Sequence, residues 1–209
     1  MSLILDLMRH GEPSQTGLLL GKTDLPLSAS GEQEVKSRLA KSMMPWCEVY
    51  SSPLTRVAQS AQWLYQEYSH PIQIDEAIRE YDFGDWDGMS LAELYAQQSH
   101  RLEQFWRDPA GCPPPNAEAL HDFKKRVFDK VTSLLESDCK HALFMTHGGV
   151  ILAIIAEILG VPDGDWAKIK IDYASFSRVV ITQTDDGWWG QVVLLNADQL
   201  PVVAPANKQ

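Results

Sequence analysis

Three things are scarce in this chain, and each scarcity excludes a class of function. Cysteine is the first: Cys47, Cys112 and Cys139 are the only three in 209 residues. They are widely spaced, form no CxxC pair and cannot all pair within one chain. A disulfide-stapled mini-domain and a zinc ribbon are excluded, and reduced thiols in a cytoplasmic protein are expected. Positive charge is the second. Lys and Arg number 18 against 28 Asp and Glu, a formal net charge of −10, which does not suit a nucleic-acid backbone. Long apolar runs are the third. The most apolar stretch, Val150 to Leu159, is too short to span a bilayer and contains Glu157. The run at Leu3 to Met8 is too short for a signal peptide, and Arg9 cuts it. The expectation is therefore no nucleic-acid and no membrane partner. There is also no internal repeat, low-complexity tract or long linker, so residues 1–209 read as one domain with a sizeable core.

What is present begins with that first run. Leu3 to Met8 has the length and character of a buried parallel strand. It stops at Arg9-His10-Gly11-Glu12: a cation, an imidazole, a glycine and a carboxylate. Open α/β sheets hold ligands beyond the carboxyl ends of their strands. A guanidinium suits phosphate oxygens, and a neutral imidazole with one free ring nitrogen is a nucleophile near pH 7. Taken alone, the four letters fit a solvated surface turn as well.

Further along, Ser28 is a good N-cap for a helix over about 29–42. A short strand near Val49 leads to Ser51-Ser52-Pro53-Leu54-Thr55-Arg56. Ser52 as N-cap and Pro53 at the first helical position predict a helix reaching about Tyr68, with Arg56 near its anion-attracting N-terminus. Ile72 to Ile74 can form a strand. The mixture from Ile78 to Gly88, which contains Glu80, has no clean period and reads as a shaped loop. Ser90 and Glu93 form a capping box for a helix to about 107. Pro109, Gly111 and Pro113 to Pro115 then break the chain, so 81–118 reads as a small helical cap. An amphipathic helix is predicted over about 119–136, a buried strand over 141–146, and a buried helix over 150–159. The strand ends in Thr146-His147-Gly148-Gly149, a second His-Gly unit after an apolar run. Two β-rich runs flank Asp185-Asp186-Gly187, a hairpin signal for an antiparallel edge. The fold class is thus α/β: a three-layer sandwich with a mostly parallel sheet, flanking helices, an antiparallel edge and a small cap.

A parallel sheet would bring both His-Gly units to one rim. With Arg9, Arg56 and Glu80 they make two guanidiniums, two imidazoles and an acid, a set suited to moving a phosphoryl group through a histidine. These motifs, in this order, resemble the histidine phosphatase superfamily, also called phosphoglycerate-mutase-like. Within it the chain most resembles the α-ribazole phosphatases of cobalamin nucleotide-loop assembly, through Phe83-Gly84-Asp85-Trp86, Asn116-Ala117-Glu118-Ala119 in part, and Val193-Leu194-Leu195-Asn196. Two departures are visible: the family often has Gly-Gly-Glu-Ser at 116–119, and often Asn where this chain has Thr16.

The resemblance implies a phosphomonoesterase. His10 would attack phosphorus, and Arg9, Arg56 and a protonated His147 would hold the equatorial oxygens, with Thr16 and Gly148 as further phosphate contacts. Glu80 would protonate the leaving alkoxide and later activate water. Neither a metal nor a cofactor is expected; the partner is a small phosphomonoester, and monomer and homodimer stay open. Glu118 reads as a helix cap. Tyr81, Phe83, Trp86, Tyr95, Phe105 and Trp106 make the cap aromatic-rich, enough to stack a flat benzimidazole or simply to form the cap's own core. Rival readings are another phosphatase or mutase of the fold, a non-catalytic phospho-ligand or protein-binding module, and a metallohydrolase using His10 and His147, for which matched ligand spacing is lacking.

Overall fold

A computed structural model describes residues 2–42 and 45–201. Its framework is a six-stranded sheet: β1 (Ser2–Arg9), β2 (Glu48–Ser51), β3 (Gln73–Ile74), β4 (His141–Thr146), β5 (Phe176–Thr184) and β6 (Gly187–Ala197), in the order β3-β2-β4-β1-β5-β6. The first four strands run parallel. β5 returns antiparallel to β1, and β6 pairs with it across the predicted hairpin. Each parallel connection passes through a helix, as crossovers require.

The helices are α1 (Ala29–Lys41), α2 (Thr55–Tyr68), α3 (Leu91–Arg107), α4 (Leu120–Leu135) and α5 (Gly148–Leu159). Val35 and Leu39 of α1 and Val57, Ala61 and Leu64 of α2 bury against Met8, Val49 and Met145 on one sheet face. Phe123, Val127 and Val131 of α4 and Val150, Ile151 and Ile154 of α5 pack with Leu3, Leu5 and Leu7 on the other. β1 alternates because its two faces meet different helix layers; the sandwich is three-layered.

The caps explain the helix starts. Ser28 accepts the Gly31 N–H at 3.0 Å, and Ser90 and Glu93 form the expected capping box. The start of α2 differs from expectation. It begins at Thr55, and its cap comes from the distant loop: Asp24 accepts the Thr55 N–H at 2.7 Å and its hydroxyl at 2.6 Å. Ser52 is engaged elsewhere, as described below. α3 carries a kink at Gln98, whose amide oxygen accepts the Trp86 indole N–H at 3.2 Å.

Two features of the opposite, amino-terminal part of the sheet contradict or escape the sequence pattern. Cys47 and Cys139 are joined by a disulfide, which corrects the expectation of three reduced thiols; only Cys112 is free. The strands that begin just after these cysteines, β2 and β4, lie side by side, which brings residues 92 apart in sequence together. Asp6, in the middle of the apolar β1 run, is fully buried. Arg178, directly across on β5, grips it with two bonds of 2.6 and 3.0 Å, and His141 and Trp46 add bonds of 2.7 Å each. Burial alone would raise the Asp6 pKa, but the bonds from His141, Arg178 and Trp46 hold it below the usual carboxylate value.

Candidate active site

Three adjacent parallel strands, β2, β4 and β1, end at one level: Ser51 pairs with Met145, and Arg9 with Thr146. The first residues beyond them are Ser52, His147 and His10. The His10 N–H bonds to the Thr146 carbonyl at 3.0 Å, and the Ser52 N–H to the Met145 carbonyl at 3.0 Å. The sheet therefore places His147 between Ser52 and His10. The two imidazoles meet edge to face with centroids 5.2 Å apart.

His10 is oriented by its own loop. Its Nδ1 lies 2.7 Å from the Gly11 carbonyl. A carbonyl can only accept, so Nδ1 carries the proton and Nε2 keeps its lone pair. Burial first, then the charges of Arg9 and Arg56, hold the His10 pKa well below 6.5. The result is a neutral imidazole with a free nucleophilic nitrogen. The sharp turn after it depends on Gly11, where a β-carbon would stand 2.2 Å from the Gly31 carbonyl oxygen.

His147 is also buried, and burial together with His10, Arg56, Arg9 and Arg126 keeps its pKa well below 6.5. Burial and these cations favour the neutral ring. A proton on this ring needs a negative charge beside it to offset these cations. The Ser52 hydroxyl lies 2.7 Å from His147 Nε2. That hydroxyl also accepts the Leu54 N–H at 3.3 Å, so Ser52 ties the His147 ring to the start of α2.

Arg56 is completely buried in the first turn of α2. It donates to the carbonyls of Leu20, Gly21 and Thr23, each at 2.9 Å, and so shapes the loop that precedes α1. Arg9 donates to the Ile171 carbonyl and lies over the Tyr173 ring, 3.8 Å from its centroid. Tyr173 also faces His10 at 5.6 Å. Among the described residues seven buried side-chain polar atoms lack a partner, and three of them are Arg9 Nε, Arg56 Nε and His147 Nδ1. Buried donors are almost always paired. Three orphans beside one nucleophilic imidazole mark a place for an oxyanion.

Glu80 lies within electrostatic reach of both guanidiniums. Its Oε2 accepts the Gly149 N–H and its Oε1 the Tyr81 N–H, both at 3.0 Å. The sequence-predicted Arg9, His10, Arg56, Glu80 and His147 are thus brought together. Gly148 belongs with them: a β-carbon there would press on Arg9 Nε at 3.2 Å. Thr16 is exposed, in the loop just before Gly17.

Beside this group opens a cavity of about 280 Å³. Arg9, Glu80, Gly148 and Gly149 form its polar end, and Tyr81, Phe83, Phe105, Trp106 and Trp166 are among its apolar walls. Trp86 is instead a fully buried core residue, and Tyr95 is exposed and away from the cavity. Sequence reasoning missed Tyr173 and Trp166, which lie in the aperiodic stretch before β5. It also missed Arg126, whose helical position looks like any solvated arginine.

Fold and site together define an α/β protein that presents a neutral histidine among guanidiniums at the carboxyl ends of parallel strands. Residues 5–196 match the pattern of the histidine phosphatase superfamily (branch 1), and the chain belongs to that family. It is 27% identical over 181 residues to the adenosylcobalamin/alpha-ribazole phosphatase of Escherichia coli, covering 85% of this chain and 89% of that one. It is 26% identical over 216 residues to the 2,3-bisphosphoglycerate-dependent phosphoglycerate mutase 2 of Gloeobacter violaceus, covering 98% and 97%. The crystal structure of the alpha-ribazole phosphatase from Shigella flexneri superposes with a TM-score of 0.81 at 24% identity, covering 97% of this chain and all of that one. Membership places the chain among phosphatases and phosphomutases.

Proposed function

We propose that this protein is a phosphomonoesterase that works through a phosphohistidine on His10, and that its substrate is a phosphate ester of an alcohol bearing a flat apolar group, α-ribazole 5′-phosphate or its adenosylcobalamin equivalent. The observation that carries the chemistry is the trio of unpartnered buried nitrogens on Arg9, Arg56 and His147 around an imidazole whose Nε2 is free. In this reading Nε2 bonds to phosphorus as the ester P–O bond breaks. Arg9, Arg56 and His147 hold the equatorial oxygens, where transition-state charge lies. The phosphate's own charge offsets the repulsion that disfavours a proton on His147. Glu80 passes its proton to the departing alkoxide. The resulting carboxylate then takes a proton from water as that water attacks phosphorus and the N–P bond breaks. No step needs a metal, so activity should survive excess EDTA.

The cavity supports the substrate class. We read segment 81–118 as a cap. It supplies Tyr81, Phe83, Phe105 and Trp106, while Trp166 faces them from beyond α5. Such walls suit a benzimidazole better than a glycerate. The full-length likeness to a phosphoglycerate mutase favours a second reading, in which the phosphohistidine is retained and passed to another hydroxyl. The cytoplasm is the compartment this reading assumes; the Cys47–Cys139 bridge is the feature that weighs against a reducing one.

The test is a phosphate-release screen over α-ribazole 5′-phosphate, sugar phosphates, phosphoglycerates and p-nitrophenyl phosphate, with Trp106→Ala alongside. α-Ribazole phosphate should lead in kcat/KM, and Trp106→Ala should erode that lead. Equal, weak turnover of every ester would remove the substrate assignment and leave the chemistry. Strong stimulation by 2,3-bisphosphoglycerate would establish the mutase reading.

A further inference from the structure

The backbone that carries Glu80 has no strand or long helix to hold it. Residues 76–78 form a single 3₁₀ turn, and the chain from 79 to 83 is irregular. One side chain from α4 supplies the missing bonds. Arg126 Nη1 donates to the carbonyls of Ala77 and Arg79, both at 2.8 Å, and Nη2 donates to the carbonyl of Glu80 itself at 3.0 Å. Glu118 takes the remaining donors, Nε at 2.7 Å and Nη2 at 2.9 Å. All five guanidinium protons are thereby used, in the planar fork that only arginine offers. Both side chains are largely buried, 18% and 13% exposed. Glu118 Oε2 further accepts the Asp82 N–H at 3.4 Å, so the pair brackets Glu80 on both sides. Glu118 is therefore not a helix cap; α4 has no side-chain cap at all.

We propose that Arg126, locked by Glu118, is a positioning residue that fixes the general acid of the reaction by clamping the backbone at Ala77, Arg79 and Glu80. The inference rests on the reading of Glu80 as the proton donor. Arg126 touches neither phosphate nor the reacting atoms. Its removal leaves the Glu80 carboxylate bonded to Gly149 but lets the backbone beneath it drift. A displacement of about 1 Å is enough to cost on the order of a hundredfold in a positioned step.

The consequence depends on the leaving group. An alkoxide needs a proton as it departs, whereas a nitrophenolate leaves without one. Arg126→Ala should lower kcat/KM on an alkyl phosphate by about 10- to 100-fold and on p-nitrophenyl phosphate by no more than about threefold. Arg126→Lys, which cannot reach three carbonyls at once, and Glu118→Gln should show the same bias at smaller size. They carry the test if Arg126→Ala does not fold. Glu80→Gln separates the two levels of the argument. If Glu80→Gln shows no alkyl-over-aryl bias, the general-acid reading has failed. If it shows the bias while the Arg126 and Glu118 variants lose both substrates equally, the positioning role has failed. The double variant Glu80→Gln/Arg126→Ala (or Arg126→Lys) should be no slower on the alkyl ester than Glu80→Gln alone, because a clamp with nothing to position has no effect. A further multiplicative loss would reduce Arg126 to general support of the fold and overturn the proposal.

Discussion

Alanine at Gly149 should displace the Glu80 carboxylate, the proposed acid, without harming the fold. A β-carbon built there lies 2.2 Å from Glu80 Oε1, 3.1 Å from Cδ and 3.4 Å from Oε2, and all three nearest atoms belong to Glu80. Ordinary contact begins near 3.4 Å, so the carboxylate must retreat by about 1.2 Å, from 2.2 to 3.4 Å. The φ of Gly149 is not positive, so alanine adopts the same backbone. The position lies in the first turn of α5, where alanine is intrinsically better than glycine by up to about 1 kcal/mol. The melting temperature should hold or rise. A shift of that size in a catalytic group costs about a hundredfold, so kcat/KM on an alkyl phosphate should fall by about that factor while p-nitrophenyl phosphate is largely spared. Steady-state kinetics on the two esters, with thermal melts of both proteins, reads the effect. A Gly149→Ala variant that folds and keeps wild-type kcat/KM on the alkyl ester would refute the placement of Glu80 as the proton donor.

Stability should depend on pH through the two buried imidazoles. Their folded pKa values lie well below 6.5, so between those values and 6.5 the unfolded chain binds more protons. Stability is complete above about pH 6.5 and falls as pH drops, toward a limit of about 1.4 kcal/mol per pH unit for each group. Melts from pH 7.5 to 5.5 should show the decline, and His10→Ala should make it shallower while His147 keeps a residual slope; a flat wild-type profile would contradict the burial of both rings. Asp6→Ala leaves Arg178 buried without its partner and should cost about 3–5 kcal/mol in urea unfolding. Its alkyl-to-aryl selectivity should match wild type. Reducing the Cys47–Cys139 bridge opens a link 92 residues long, worth about 4–5 kcal/mol by loop entropy. The loss should appear in denaturant titrations with and without dithiothreitol, with kcat unchanged, since the active site lies at the other end of β4. Three titratable thiols in the oxidised, denatured protein would show that no bridge forms.

The parts of this protein legible in its sequence are those where a local pattern has one physical meaning. A buried parallel strand must be apolar, so where β1 and β4 stop being apolar, at Arg9-His10 and Thr146-His147, the candidate site begins. Helix starts with their caps adjacent in sequence, Ser28 and Ser90, were equally plain. Where the partner comes from elsewhere in the chain, local pattern misleads. Ser52 has the look of an N-cap, yet its hydroxyl goes to His147, and α2 is capped by Asp24 from 31 residues upstream. Glu118 precedes a helix, yet its carboxylate goes to Arg126. Asp6 hides within an apolar run because its three partners arrive from β4, β5 and the segment before β2. Cys47 and Cys139 are neighbours only through the strand order. Of the cap aromatics, sequence composition could not say which face a cavity. Trp106 does, Trp86 is core, and Tyr95 points away from both.

The most direct measurement is to trap the covalent intermediate. The protein is mixed with a ³²P-labelled phosphomonoester, quenched in alkali within milliseconds, and digested for mass spectrometry. The account predicts an acid-labile, alkali-stable phosphoryl group on His10, absent from His10→Ala and accumulating in Glu80→Gln when the ester is p-nitrophenyl phosphate. Full turnover by wild type with no label on His10, or turnover retained by His10→Ala, would contradict it.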